Sequence, residues 1–459
     1  MILLEALPLL LLLGLLASGR VAPIPACVIA LVGALPALVI RQGTGLPWFL
    51  VQESLLGAFL ALAPVAVVAG GLMFHAAVSG PAQDAPRAAT AARIFAVSLP
   101  LGAFLESVTG FSVGAVFALT ALRAMGVRGA VAIALAVQSL TLVPWGGLGP
   151  GTALGAVIAG VPAQEVGRIA ALPTALWLPL IVPLQWWLQA QAGAPPDARE
   201  KAWQLGLTLA LVALLNLCNA LLPFEVAGVI AAGLVAVVAL WRADPPKQPR
   251  AAIAAAAPYL LLVAALLGAR LWSAPPGWKP FADYPAFALT HVAVVLALVA
   301  SGLLLARGRV TAGGAALRRA GRPALAMLLY VVLGRWLAGG GIAADLADSL
   351  AHALGGAAPF AIMPMAMLSG IVTGSNVGSN AALMPIQHAL GQEAGLDAVL
   401  VAALHNFGGG AGAGMGAAGL AMLCALLADG TRPAQVWRLL LPSMAAVLLA
   451  GTVTLMLLR

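Results

Sequence analysis

Long stretches without charge fix the solvent this chain must fold in. A helix needs about 20 apolar residues to cross a hydrocarbon core about 30 Å thick. Apolar runs near that length recur at 2–19, 21–40, 52–78, 129–160, 170–191, 202–222, 224–241, 252–272, 285–306, 323–338, 398–427 and 436–457. Only 8% of the residues are charged, against roughly 25% in soluble domains. A bilayer offers backbone N–H and C=O groups no partner outside a helix or a closed barrel. The sequence therefore predicts an all-α polytopic membrane protein with about twelve transmembrane helices.

The net charge of +8 would suggest nucleic acid in a soluble protein. Here the basic residues sit in short loops between apolar runs, which makes them a topology signal and leaves no nucleic-acid partner. Cys27, Cys218 and Cys424 stand in apolar segments without CxxC spacing, so neither a disulfide framework nor a metal site is expected. No cofactor is implied. Glu5 stands where a signal peptide would be basic and no small-residue cleavage site follows, so 2–19 reads as a first span.

Two further apolar regions, 94–122 and 358–391, are interrupted by Gly, Ser, Thr and Asn. Their treatment decides the topology. The stretch from Arg307 to Arg322 holds five arginines and is taken as a cytoplasmic loop. If both interrupted regions are re-entrant hairpins that return to their own side, 17 of the 23 Lys and Arg residues fall inside, Arg87 and Lys247 among them. Arg41, Arg168, Arg270, Lys279, Arg335 and Arg459 remain outside, with the acidic loops 339–357 and 392–397. A single crossing at 94–122 would move Arg20, Arg87 and Arg93 outside. The hairpin reading has the first hairpin entering from the cytoplasm and the second from outside.

Each hairpin is followed by a glycine-broken span, 129–160 and 398–427. "GAFLESVTG" (102–110) echoes "GIVTGSNVG" (370–378), and "PWGGLGPG" (144–151) echoes "NFGGGAGAG" (406–414). Two such units of opposite orientation, 50–192 and 323–457 within one transmembrane domain, are the inverted-repeat pattern of secondary transporters.

Irregular backbone at membrane depth is tolerable only around a buried or water-filled cavity, so the four breaks should meet and line a site. At a hairpin tip the second arm begins with free N–H groups and the positive end of a helix dipole, which suit an anion. The tips offer Ser107, Thr109, Ser112, Thr373, Ser375, Asn376, Ser379 and Asn380; the broken spans offer Gln138, Ser139, Trp145, His405, Asn406 and Phe407. Small polar residues also serve helix packing, but five between 373 and 380 around two glycines exceed that need.

Glu106 is the acidic residue that this topology leaves at membrane depth, where a charge costs about 2.5–3.5 kcal/mol or more. It is the candidate for binding and releasing a coupling proton; the plain alternative is that it caps a hairpin arm. His405 is either a hydrogen-bonded structural group or a ligand. His75, His352 and His388 lie near span ends and are not expected in the site, and His291 stands inside a span without polar company. "GGGAGAG" (408–414) has no following Lys-Ser/Thr and no preceding strand, so glycine serves close helix approach there and not a phosphate.

With these motifs placed, the chain resembles the lactate permease family, which transports L-lactate and glycolate with protons. "GAFLESVTGF" (102–111), "VPWGGLGPG" (143–151), "TGSNVGSNAALMPIQ" (373–387) and "HNFGGGAGAGMG" (405–416) carry the resemblance, over about residues 50–430. Glu106, Gly110, Phe111, Ser375 and Asn380 match the family. Family members carry glycine-rich small residues where Ser107, Val108 and Thr109 stand, an acidic residue where Asn376 stands, and a Lys and a Ser-Pro-Gln run that "AGAGMGAAGL" (411–420) lacks.

The resulting expectation is a proton-coupled symporter of a small organic monocarboxylate in a cell inner membrane, and not an enzyme. Ser107, Thr109, Ser375, Asn376, Ser379, Asn380, His405 and Asn406 would bind the substrate, and Glu106 the proton. One alternative is sodium as the coupling ion, held by Glu106, Ser and Asn oxygens. A more distant one is an intramembrane enzyme with Glu106 and His405 as an acid–base pair, which requires the two within about 3 Å or one water.

Overall fold

The computed structural model describes residues 1–79, 88–245 and 248–459. Arg87 and Lys247, both expected on the cytoplasmic side, lie outside the described residues. The helices are, in chain order, α1 (Ile2–Ala17), α2 (Pro23–Gln42), α3 (Leu46–Val78), α4 (Ala91–Ala96), α5 (Gly102–Thr109), α6 (Val113–Ala124) and α7 (Gly129–Val137). Next come α8 (Pro150–Ile158), α9 (Ala163–Gln191), α10 (Ala198–Leu221), α11 (Phe224–Ala243), α12 (Pro249–Ala269), α13 (Val292–Ala306) and α14 (Val310–Gly339). The last are α15 (Ile342–Leu354), α16 (Ile362–Thr373), α17 (Asn376–Glu393), α18 (Ala398–Gly414), α19 (Ala417–Leu427) and α20 (Pro433–Leu458). Strands β1 (Gly277–Trp278) and β2 (Phe287–Ala288) form a short antiparallel pair. Among the described residues, ten helical stretches are long and apolar enough to cross a membrane. The chain is an all-α polytopic membrane protein.

Both interrupted regions turn back on themselves. In the first, α4 and α5 are joined by a π-helical turn over 97–101, and Gly110, Phe111 and Ser112 all take positive φ before α6 begins. The arms touch where glycine allows it, for a Cβ on Gly114 would run into the Gly102 carbonyl. In the second region, α16 ends at Gly374 with φ +63°, and Ser375 caps α17 by accepting from the Gly378 N–H. Gln387 of α17 reaches back to the Ile362 carbonyl of α16 at 3.2 Å. The following spans are interrupted as well. Between α7 and α8 the chain runs as an irregular 3₁₀ stretch with non-helical Gly146 and Gly147, and α18 stops at Met415–Gly416 before α19. Helices α17 and α18 pack on α8, and α18 also packs on the 138–148 stretch, so the two interrupted units share one interior.

Three segments differ from the sequence expectation. The stretch 307–322, expected as a loop, is helical from Val310 onward because Ala, Leu and Arg favour helix whatever the apolar period. The span expected at 285–306 starts only at Val292, since Phe287 and Ala288 pair with β1 and His291 caps α13 through the Ala293 N–H at 3.1 Å. The acidic stretch 339–357 contains α15, whose apolar side, with Ile342, Ala343 and Ala347, is buried against the bundle.

Ion pairs tie distant helices together in two sets. Arg41 bridges Glu5 (2.5 Å) and Asp345, Arg335 holds Glu53 (2.7 Å), and Arg270 holds Glu225. In the other set Arg93 pairs with Asp244 (3.7 Å) and Arg242 with Glu200. Nearby contacts extend it: Arg123 donates to the Leu426 carbonyl at 2.8 Å, and Asp429 accepts the Gly129 N–H at 2.9 Å.

Candidate functional site

The two turns and the two interrupted spans converge on a cavity of about 110 Å³. One water needs roughly 10–15 Å³ of such space, so it has room for a small solute. Its wall takes Glu106 and residues 109–112 from the first turn, residues 374–377 from the second, and Gly146, Gly147, Gly151 and Gly414 from the spans. Among the described residues, Glu106 is the charged side chain in that wall, and no Lys or Arg lines it.

Glu106 is buried, and its two oxygens accept the N–H groups of Ser112 and Gly114, each at 3.1 Å. It therefore caps α6. The carboxylate occupies the N–H groups that the sequence reading left free for an anion at this tip. The second tip is different. Ser375 takes the Gly378 N–H, while the N–H groups of Asn376 and Val377, both in the cavity wall, have no partner among the described residues. A helix N-terminus with open donors favours negative charge.

Beneath that tip lies a buried amide network. Asn376 Nδ2 donates to Asn406 Oδ1 at 2.9 Å; Asn380 Nδ2 donates to the Asn376 carbonyl at 2.8 Å, to Asn376 Oδ1 at 3.1 Å and to Asn406 Oδ1 at 3.3 Å. Asn406 Nδ2 in turn donates to Thr152 Oγ1 at 2.8 Å, and the Thr152 hydroxyl donates to the Pro144 carbonyl. This chain of bonds joins α17 and α18 to α8 and to the irregular stretch before it. Thr152 carried no signal in the sequence beyond its place two residues after Pro150 in a glycine-rich run.

Of the residues expected to bind substrate, Thr109, Ser375 and Asn376 line the cavity. The Thr109 hydroxyl is spent on the Leu105 carbonyl at 2.6 Å. Asn380 and Asn406 stand one layer behind and hold Asn376. Ser107 is buried on the far side of α5, with its hydroxyl facing Gly228 of α11. Ser379 and His405 bond each other, Oγ to Nε2 at 3.3 Å, outside the cavity wall. Trp145 points away, its indole N–H donating to Asn219 of α10 at 3.1 Å. Among the described residues, Glu106 and His405 share neither a hydrogen bond nor a partner.

No curated protein matches the chain. Residues 281–459 match the model of the L-lactate permease family, a stretch that contains the second turn, the second interrupted span and the asparagine network except for Thr152. The motifs at 102–111 and 143–151 lie before the matched stretch. Over residues 281–459, less than half of its length, this polytopic membrane protein is similar to the L-lactate permease family.

Proposed function

We propose that the chain is a secondary active transporter that carries a small organic monocarboxylate, such as L-lactate or glycolate, together with a proton across the cell inner membrane. The observation that carries this reading is the cavity itself, which joins open N–H groups at one helix start to a lone buried carboxylate at the other turn. The substrate carboxylate sits on the N–H groups of Asn376 and Val377 with the Ser375 hydroxyl beside it. Glu106 takes the proton, which keeps the pair of carboxylates from facing each other as two unscreened charges.

The same reading makes 94–122 and 358–391 re-entrant hairpins in two inverted units, and the ion pairs support it. If 94–122 crossed the membrane once, Arg41 and Glu53 would lie opposite Asp345 and Arg335, their partners. If 358–391 crossed once, Leu426 and Asp429 would lie opposite Arg123 and Gly129, which they contact. With both as hairpins every such contact joins groups on one side.

Uptake of labelled L-lactate into proteoliposomes under an inward proton gradient, with and without Na⁺, tests the proposal. Accumulation driven by the proton gradient alone is the expected result. Accumulation only with Na⁺ would replace the coupling ion, and none in either condition would remove lactate as the substrate.

A further inference from the structure

Helix α12 packs on α13 and stands off α11. Between α11 and α12 this leaves an apolar groove of about 930 Å³, floored by Phe104 and Phe117 of the first turn's two arms. Tyr259 of α12 reaches across to Phe104, ring centroids 5.0 Å apart, and closes its deep end. Along α11 the groove continues as an exposed apolar stripe, Leu234, Val237, Val238 and Trp241, at helical spacing. Trp241 and Val237 also line a second, shallower groove of about 640 Å³ where α10 starts and α11 ends.

That second groove is not apolar. Asp197, Arg199, Glu200 and Arg242 line it beside Trp203. Glu200 and Arg242 satisfy each other, and the Arg242 guanidinium lies 5.1 Å from the centroid of the Trp203 ring. Asp197 spends one oxygen on the Glu200 N–H at 2.7 Å. Arg199 is exposed and has no ion-pair or hydrogen-bond partner among the described residues. One open guanidinium and one half-used carboxylate therefore sit two residues apart, at the level where tryptophans mark a membrane surface.

We propose that these two grooves together bind one phospholipid with a zwitterionic, ammonium-bearing headgroup. The phosphate rests on Arg199, the ammonium on the free oxygen of Asp197, and one acyl chain runs past Val237 into the groove between α11 and α12. Charge complementarity selects this occupant: the residues lining the headgroup groove carry two positive and two negative charges, which gives a purely anionic headgroup no net attraction. The acyl chain ends against Phe104 and Phe117, so bound lipid touches the same two arms that form the first turn.

Native mass spectrometry of the full chain in detergent, titrated with phosphatidylethanolamine or phosphatidylglycerol, tests this. The expected result is preferential retention of one phosphatidylethanolamine per chain. Arg199→Glu should weaken it at least about tenfold, as loss of a charge-assisted hydrogen bond does. Val237→Trp, which fills the groove at an exposed position, should weaken both lipids. Equal retention of phosphatidylglycerol, or wild-type retention in both variants, would overturn the proposal. So would a dimer of the chain that Val237→Trp dissociates, since the groove would then hold a second copy.

Discussion

Glu106 caps a helix in this geometry and is proposed to carry the coupling proton, and a single substitution separates the two roles. As a cap it stabilises the start of α6 through two N–H groups; such caps contribute about 0.5–2 kcal/mol. Glu106→Gln keeps one acceptor oxygen and turns an NH₂ group toward the other N–H. If Glu106 also carries the proton, the variant should lose gradient-driven lactate accumulation while still exchanging external for internal lactate across the membrane. Loss of accumulation and exchange together, in step with lowered thermal stability, would leave it a cap only. Thr152 gives a second residue-scale test. Thr152→Val leaves the Asn406 amide without its acceptor in a buried place, a penalty of about 1–3 kcal/mol. The variant should melt earlier and take up less substrate, whereas Thr152→Ser should behave like the parent. Glu106 was legible in the sequence because a charge in an apolar run must be accounted for. Thr152 was not, since a threonine in such a run most often returns its hydroxyl to its own helix, as Thr174 and Thr208 do here. That Ser107 and Ser379 stand outside the cavity wall was not legible for a related reason: sequence adjacency to a turn does not say which side of a helix faces the cavity.

At the scale of elements, the interrupted helices are held by close backbone contact between α16 and α18. A Cβ on Gly370 would collide with the Gly409 carbonyl and come within 2.7 Å of the Ala413 nitrogen. Gly370→Ala should therefore push the two helices apart, at about 1–3 kcal/mol by analogy with overpacked cores, and lower the thermal midpoint in detergent. Gly302 of α13 has open space around it; Gly302→Ala should be neutral or stabilising by up to about 1 kcal/mol. Equal effects of the two would mean that helix propensity, and not contact, sets the cost. The interruptions themselves could be read from sequence, because Gly, Ser and Asn clustered inside apolar runs have few other uses. The helical course of 310–322 and of 342–354 could not. The first is the arginine-rich start of the continuous α14 and the second a short helix packed on the bundle; neither needs a 20-residue apolar run, so the rule that finds spans passes over them.

The molecule as a whole is organised by which side of the membrane each loop occupies, and the ion pairs make that a question with a sharp answer. Introduced single cysteines, in a background where Cys27, Cys218 and Cys424 are replaced, can be labelled from outside intact cells or only after permeabilisation. Positions flanking the first turn region, Thr90 and Gly126, should both label only after permeabilisation. Positions flanking the second, Gly355 and Gly395, should both label from outside. Each pair brackets one helix–turn–helix region, so a pair split between the two conditions would mean that its region crosses the bilayer. In that case Arg41 could not meet Asp345, or Asp429 the Gly129 N–H, and the contacts between the two interrupted units would have to be rebuilt. Matching labels within each pair, on opposite sides for the two pairs, would place the two tips entering from opposite faces. A single cavity touched by both tips would then be reachable from either side by moving one unit against the other, which is the geometry that alternating access requires.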